Sequence, residues 1–259
     1  MKTMHYPLVF IFLVLLSCTT NISSQISGTG DWVEEVRQVS DFSSLSLNIS
    51  GNVYIQQGSP QKVVVKGQQN ILDVLKTNVK GNTLEIKFKK KVRTHKKVDI
   101  FVTIPHINGL LISGSGNIKS NKAITTNKIE LGLSGSGNIE LAALNTKKIE
   151  VFIAGSGNIE LAELNTNEID MLVSGSGNIE VGKGKEAKKL EITLSGSGEI
   201  DTKELACEKV NIVTSGSGNC NVYATKYLEA VVSGSGEIYY KGNPQINTTV
   251  SGSGKIRSL

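Results

Sequence analysis

The tetrapeptide Ser-Gly-Ser-Gly, or a one-residue variant of it, begins at Ser113, Ser134, Ala154, Ser174, Ser195, Ser215, Ser233 and Ser251. The start-to-start spacings are 21, 20, 20, 21, 20, 18 and 18 residues. So even a period constrains the fold more than any other feature, because each repeat is then one supersecondary unit that buries its apolar face only against its neighbours. Between the motifs the residues alternate with a β period. In 129–141 the odd positions read Ile129, Leu131, Leu133, Gly135, Gly137, Ile139, Leu141, and the even ones Glu130, Gly132, Ser134, Ser136, Asn138, Glu140. The following unit puts Ile149, Val151, Ile153, Gly155, Gly157, Ile159 and Leu161 on one face, and the next repeats the pattern. Side chains alternate faces along a strand. The apolar residues and both glycines therefore share an inward face, and the serines and asparagine an outward one. The pattern predicts an all-β fold, a parallel β-helix or β-solenoid with coils of about 20 residues.

In that setting the motif is a corner. Glycine marks bends and close backbone approaches, and the inside of a bend is expected to leave no room for a Cβ. Stacking then makes two inward glycine columns. One holds Gly114, Gly135, Gly155, Gly175, Gly196, Gly216, Gly234 and Gly252; the other holds Gly116, Gly137, Gly157, Gly177, Gly198, Gly218, Gly236 and Gly254. A second turn falls at the Leu-Asn-Thr segments 144–146 and 164–166, whose Asn suits a turn. The competing reading is a phosphate-cradling loop. That needs G-x-G-x-x-G opening a helix, or G-K-[ST]; here Gly135-Ser136-Gly137 runs into the strand-like Asn138-Ile139-Glu140-Leu141.

Residues 40–112 alternate as well, at Leu45, Leu47 and Ile49, at Leu84, Ile86 and Phe88, and at Val98, Ile100, Val102 and Ile104. They are expected to form an irregular, β-rich cap on the N-terminal end, with a short helical turn near 70–76 and the repeat coils over 113–259. Open ends of a solenoid are sheet edges and need covering. At the other end Lys255 and Arg257 are expected to guard the last edge, with weak self-association there as the alternative. Residues 87–97 hold seven Lys/Arg and no acid, although the whole chain has a net charge of only +5. This segment is expected to be a hairpin loop, either an ordinary charged one or a contact for anionic lipid or acidic polysaccharide. With the charge so confined, nucleic acid is not an expected partner.

The first residues read as a leader. Residues 7–16 are apolar, too few to span a bilayer and suited to a signal segment. Leu15-Leu16-Ser17-Cys18 resembles a bacterial lipobox, which implies a signal peptide over 1–17, an acylated Cys18 holding the protein to a membrane, and a polar tether over 18–39. Cleavage after Gln25, giving a secreted soluble protein, is the alternative. Cys207 and Cys220 could pair in an exported protein, but Cys220 stands where the repeat has Ile, as a small buried hydrophobe would.

No catalytic constellation, metal cluster or cofactor motif is visible. Glu130, Glu150, Asp170 and Glu191 form one outward column, and Glu140, Glu160, Glu180 and Asp201 another. They are read as solvated faces. A Ca²⁺ ladder or a glycosidase acid pair is the alternative. Lys128, Lys148 and Lys189 are expected to point away from the first column or to lie at the turn. Trp32, Tyr223, Tyr227, Tyr239 and Tyr240 are candidates for sugar stacking, with ordinary packing as the alternative. His5, His95 and His106 are scattered.

Two segments taken together resemble a known family. They are the leading "FSSLSLNISGNVYIQQGSPQKVVVKGQ", 42–68, and "KVDIFVTIPHINGLLISGSGNI", 97–118, which runs into the repeats. They resemble the putative auto-transporter adhesin, head GIN domain, of exported proteins from Bacteroidetes-like bacteria, over roughly 36–259. The resemblance implies a right-handed β-helix and supplies no catalytic residues. The sequence thus points to a membrane-tethered, non-enzymatic scaffold of the cell envelope that binds a glycan or surface protein. The alternatives are an envelope spacer with no ligand or, by analogy of fold alone, a polysaccharide-active enzyme. Ice binding by hydroxyl ladders is disfavoured by Ser in place of regular Thr.

Overall fold

The computed structural model describes residues 25–259; the leader 1–17, Cys18 and the tether up to residue 24 lie outside the described residues. The fold is a β-solenoid with coils of the expected length. The coil strands pair in parallel with their equivalents one coil away, with register shifts only between Ser120 and Ala123, between Asp201 and Ala206, and between Cys207 and Lys209. Ile129 stacks on Ile149, Ile169, Leu190, Val210 and Leu228. Leu133, Ile153, Val173, Leu194, Thr214 and Val232 form a second inward column. These columns are buried and, apart from Thr214, aliphatic, and they make one continuous core. A coil cannot bury itself, so nearly all the stabilisation lies in the interfaces between coils.

The coils at 138–145 and 158–165 have one more bend than the repeat pattern suggests. In the strand Asn138–Asn145, Leu141 and Leu144 are both buried while Ala142 between them is exposed. The alternation slips by one residue there, so the chain turns without a glycine. Leu161 and Leu164 repeat the slip in the next coil. The third bend is the Asn-Thr-Lys turn, where Thr146 Oγ1 donates to the carbonyl of Lys148 at 3.0 Å and Asn165 Nδ2 to Asn145 Oδ1 at 2.9 Å.

Glycine is required at the corner for a reason that differs from the expected one. A Cβ on Gly135, Gly155 or Gly175 would fall on the carbonyl oxygen of the glycine one coil below. That carbonyl points along the stack because it accepts from two N–H groups of the next coil. Gly135 O takes Ser156 N at 2.9 Å and Gly157 N at 3.1 Å. The crowding is therefore axial, between coils, rather than inside one bend. The second glycine column also touches the core, with Leu133 beneath Gly157. From Gly196 upward the first glycine adopts a positive φ, 153° there and 130–141° in the last three coils, where a side chain would be strained as well.

The stack begins earlier than Ser113, and its rungs are not in chain order. The strand Gly109–Ile112 lies in parallel on Ser44–Leu47, which lies on Thr83–Phe88. On the neighbouring side Asn117–Thr125 lies on Asn52–Gln57, and that on Asp99–Ile104. Residues 83–104 thus form the bottom rung, 44–57 the second, and 109 onward the rest. Among the described residues this makes ten rungs, nine spacings of about 4.8 Å or about 43 Å in all. The cap proper is smaller than 40–112. Lys62–Gln68 runs antiparallel to Asp99–Ile104 and Leu75–Lys80 antiparallel to Thr83–Phe88, while Trp32–Val36 pairs outside Lys62–Gln68. These strands occupy the bottom edge, and the helical turn Gln69–Leu72 buries Ile71 and Leu72 beneath it.

The basic segment is not a hairpin, because the strands on either side of it pair with other partners and not with each other. It takes the place of the glycine corner in the bottom rung. There Asn52 N donates to Val98 O at 2.8 Å, and the short strand Val92–Thr94 pairs with Ile26–Ser27.

Candidate functional site

With the interior filled by aliphatic side chains, the surfaces available to a partner are the outward faces of the ladder. The two acidic columns form as the sequence indicates: Glu130, Glu150, Asp170 and Glu191 are in register, as are Glu140, Glu160, Glu180 and Asp201. The lysines, however, do not point away. Residues two apart in a strand share a face, so Lys128, Lys148 and Lys189 flank the first column; Lys128 and Lys148 reach across rungs, and Lys189 pairs within its own strand. Lys128 Nζ lies 2.8 Å from Glu150, Lys148 Nζ 2.7 Å from Asp170, and Lys189 Nζ 2.7 Å from Glu191. The Lys128 hydrogen bond holds the Glu150 carboxyl below its ordinary range, and Asp170 raises the Lys148 ammonium. The column is an interleaved charge ladder. Among the described residues no group of three or more His, Cys, Asp or Glu is placed to hold a metal ion.

Beside this ladder runs an outward column the sequence analysis did not single out: Gly132, Phe152, Leu172, Thr193 and Val213, in register. The Phe152 ring folds down over Gly132, where a Cβ would meet it. Above the ring the column stays open, with Leu172 48% and Val213 50% exposed. The result is a shallow groove of about 510 Å³ with an aliphatic floor and the carboxylate ladder along one side. Its signal was present as hydrophobes at equivalent outward positions of three repeats, Phe152, Leu172 and Val213.

A second ladder was also missed. Asn52 Nδ2 donates to Asp99 Oδ1, Asn117 to Asn52, Asn138 to Asn117, Asn158 to Asn138 and Asn178 to Asn158, at 2.9–3.2 Å. The backbone N–H of Glu199 ends the series on Asn178 Oδ1 at 2.9 Å. These are the residues that follow the second glycine, and the ladder stops where Asn gives way to Glu. The corner serines, by contrast, make no side-chain hydrogen bond among the described residues.

The sequence-nominated aromatics do not converge. Trp32 lies on the outer cap strand, Tyr240 packs on the core, and Tyr239 donates its hydroxyl to Glu237. Tyr227 is exposed, with Lys209 Nζ 5.7 Å from its ring centre. The stacked aromatic pair is instead Tyr54 on Phe101, centroids 5.1 Å apart, with Lys66 Nζ 5.2 Å from the Phe101 ring. Cys207 and Cys220 are free and buried, and desolvation pushes their thiols up to about 11 and about 12. Cys220 stacks between Ile200 and Ile238, as an isoleucine would.

Fold and faces define the class: a β-solenoid whose coil interior is closed by its own side chains and whose outward ladders are the exposed surface. The sequence profile of the family described as "putative auto-transporter adhesin, head GIN domain" matches residues 41–183 and 143–244. The chain belongs to this family. Among solved structures it is similar to a protein described as a putative lipid binding protein from Parabacteroides distasonis, with 30% identity and a TM-score of 0.86 over 91% of this chain and 99% of that one. It is similar also to a putative adhesin from the same organism, with 25% identity and a TM-score of 0.86 over 91% and 100% of the two chains. A putative adhesin from Parabacteroides merdae, at 22% identity and a TM-score of 0.86 over 91% and 99%, shares the fold. No curated protein matches the sequence. An adhesin-like family suggests an exported or cell-surface protein.

Proposed function

We propose that the protein is a non-enzymatic scaffold of the cell envelope, carried on a lipid at Cys18, that binds a glycan or surface protein along an outward ladder face. The observation that carries this reading is the column Phe152, Leu172, Thr193 and Val213, apolar except at Thr193 and open to solvent above the Phe152 ring, beside a charge ladder. Contiguous exposed apolar surface marks interaction sites, and a flat strip with polar flanks suits an extended partner. Cleavage of a glycoside by two carboxyl groups needs one of them held protonated. Here the carboxyl shifts that are resolved, at Glu85, Glu150 and Glu208, all run downward, each caused first by a lysine hydrogen bond. This favours binding over turnover.

A glycan and lipid array probed with residues 26–259, followed by whole-cell binding, tests the reading. Binding with no release of sugar fragments is expected; fragment release would overturn it. A lipid ligand, the class named for the Parabacteroides distasonis relative, would register in the same assay. The spacer reading is favoured by the asparagine ladder, which serves stacking alone, and absence of any binding would select it. Labelling with radioactive palmitate, lost in Cys18→Ala, tests the anchor. Self-association belongs to the same proposal. The strand Gln245–Gly252 pairs on one side only and leaves Ile246 and Val250 exposed at the ends of the core columns. Sedimentation velocity that shows only monomer at high concentration would remove that part.

A further inference from the structure

The two ends of the solenoid differ in charge. Residues 25–112 contain 12 Lys/Arg and 7 Asp/Glu, whereas residues 113–259 contain 15 and 16. Half of the cationic residues in the first set, Lys89, Lys90, Lys91, Arg93, Lys96 and Lys97, lie in the excursion that replaces the glycine corner of the bottom rung. All six are exposed, and none forms an ion pair among the described residues, while their neighbour Lys87 is taken by Glu85 at 2.6 Å. The other corners are made by short glycine turns, so the stack itself does not require this excursion.

The chain enters the fold at the same place. Ile26 N donates to Lys91 O at 3.0 Å, and Ile26 and Ser27 align with Val92 and Thr94. The cap clamps this entry: Asn70 Nδ2 donates to Ser27 O at 2.8 Å and accepts Thr29 N at 3.0 Å on Oδ1. The described chain therefore begins one strand spacing from the basic excursion. Residues 19–25 separate Cys18 from Ile26, and seven residues span at most about 25 Å.

We propose that the excursion 89–97 is a docking surface for an anionic lipid bilayer, so that the capped end sits on the membrane and the ladder faces rise away from it. The proposal does not need Cys18 to be acylated, since the cations and their clustering stand on the described residues. Each cation held near an anionic surface adds attraction that decays within a Debye length. Six of them confined to one excursion act together, which scattered lysines on the coils cannot do.

The test uses the chain from residue 18 with Cys18→Ser, so that no acyl chain contributes. Its partitioning is measured into vesicles of phosphatidylcholine alone and of phosphatidylcholine with phosphatidylglycerol. Binding is expected only with phosphatidylglycerol, and it should vanish when salt rises from about 0.1 M to about 1 M and the Debye length shrinks from about 10 Å to about 3 Å. The triple variant K89Q/K90Q/K91Q should lose partitioning on the order of 100-fold. The equally charged change K183Q/K185Q/K188Q, on a middle coil, should lose less than about a tenth of that effect. Energy transfer from Trp32, the single tryptophan and a residue of the cap, to dansyl-labelled headgroups reads the orientation. It should be several-fold stronger than from the donor in W32F/Y227W, whose tryptophan sits near the opposite end. Equal binding to both vesicle types, equal losses in the two triple variants, or equal transfer from both donors would each overturn the proposal. So would binding to alginate with none to either vesicle. The salt and lipid dependences are read on the unsubstituted excursion, so a misfolded variant would not decide the outcome.

Discussion

Replacing Gly155 by alanine should damage the protein even though no buried side chain is removed. The added Cβ falls on the Gly135 carbonyl oxygen, with the Gly135 nitrogen and carbonyl carbon also in its way. No flexible side chain can yield, so either the coils part locally or the Gly135 carbonyl rotates. Rotation gives up its bonds from Ser156 N at 2.9 Å and Gly157 N at 3.1 Å. Two net hydrogen bonds of about 1 kcal/mol each, plus a partly stranded carbonyl, put the loss at about 2–4 kcal/mol. The overpacking range of about 1–3 kcal/mol leads to a similar figure. Ala154→Ser is the control, since the other corners carry serine in that column; it should stay within about 0.5 kcal/mol of the parent. Urea unfolding followed by circular dichroism gives both values, and amide exchange should show the loss centred on the coils around Gly155, because solenoid coupling runs between neighbours. If Gly155→Ala unfolds within about 0.5 kcal/mol of the parent, the axial account of the corner is wrong and a ligand-loop reading regains its place.

Three other outcomes follow from single features. Thr214 is buried in the Leu194–Val232 column, and its hydroxyl has no partner; Thr214→Val should raise stability by about 1–2 kcal/mol in the same urea assay. Asn138→Ala breaks two links of the asparagine ladder, to Asn117 and from Asn158, and should cost about 1–2 kcal/mol; Asn178→Ala also breaks two, to Asn158 and from the Glu199 N–H, and should cost about the same. The thermal midpoint should be flat across neutral pH and fall at both extremes. Glu150 lies below its ordinary 4.5 because of Lys128, so its contribution is full above 4.5 and is lost as pH falls through the lowered value. Lys148 lies above its ordinary 10.5 because of Asp170, so its contribution is full below 10.5 and is lost as pH rises through the raised value. A midpoint that moved steadily between pH 6 and 9 would contradict this, the window being about that of neither group.

The repeats were legible because three signals agree in every coil: period, alternation and a glycine pair. The bend at Leu141–Leu144 was readable too, as two apolar residues three apart, but Ala142 and Ala143 between them carry no turn signature. The Lys128–Glu150 ladder was available from parity alone, since Lys128 and Glu130 are two apart. What one sequence does not carry is which remote strands stack. Residues 44–57 and 83–104 alternate equally well, and nothing local says that the later segment lies beneath the earlier one. The Tyr54–Phe101 pair and the true role of the basic segment as a corner both depend on that order. The asparagine ladder is an intermediate case: Asn117, Asn138, Asn158 and Asn178 recur visibly, but their mutual bonding depends on the exact register of the coils.

The central claim is that the glycine corners build the solenoid and an outward face meets the partner. It is tested most directly by comparing two variants in one whole-cell binding assay. One is L172D/V213D, which places charge in the apolar column. The other is S134A/S136A/S156A/S174A/S176A, which strips hydroxyls from the corners and leaves every glycine. Binding lost in the first and kept in the second is the predicted result. Binding kept in the first and lost in the second would contradict it and return the function to the Ser-Gly-Ser-Gly loops.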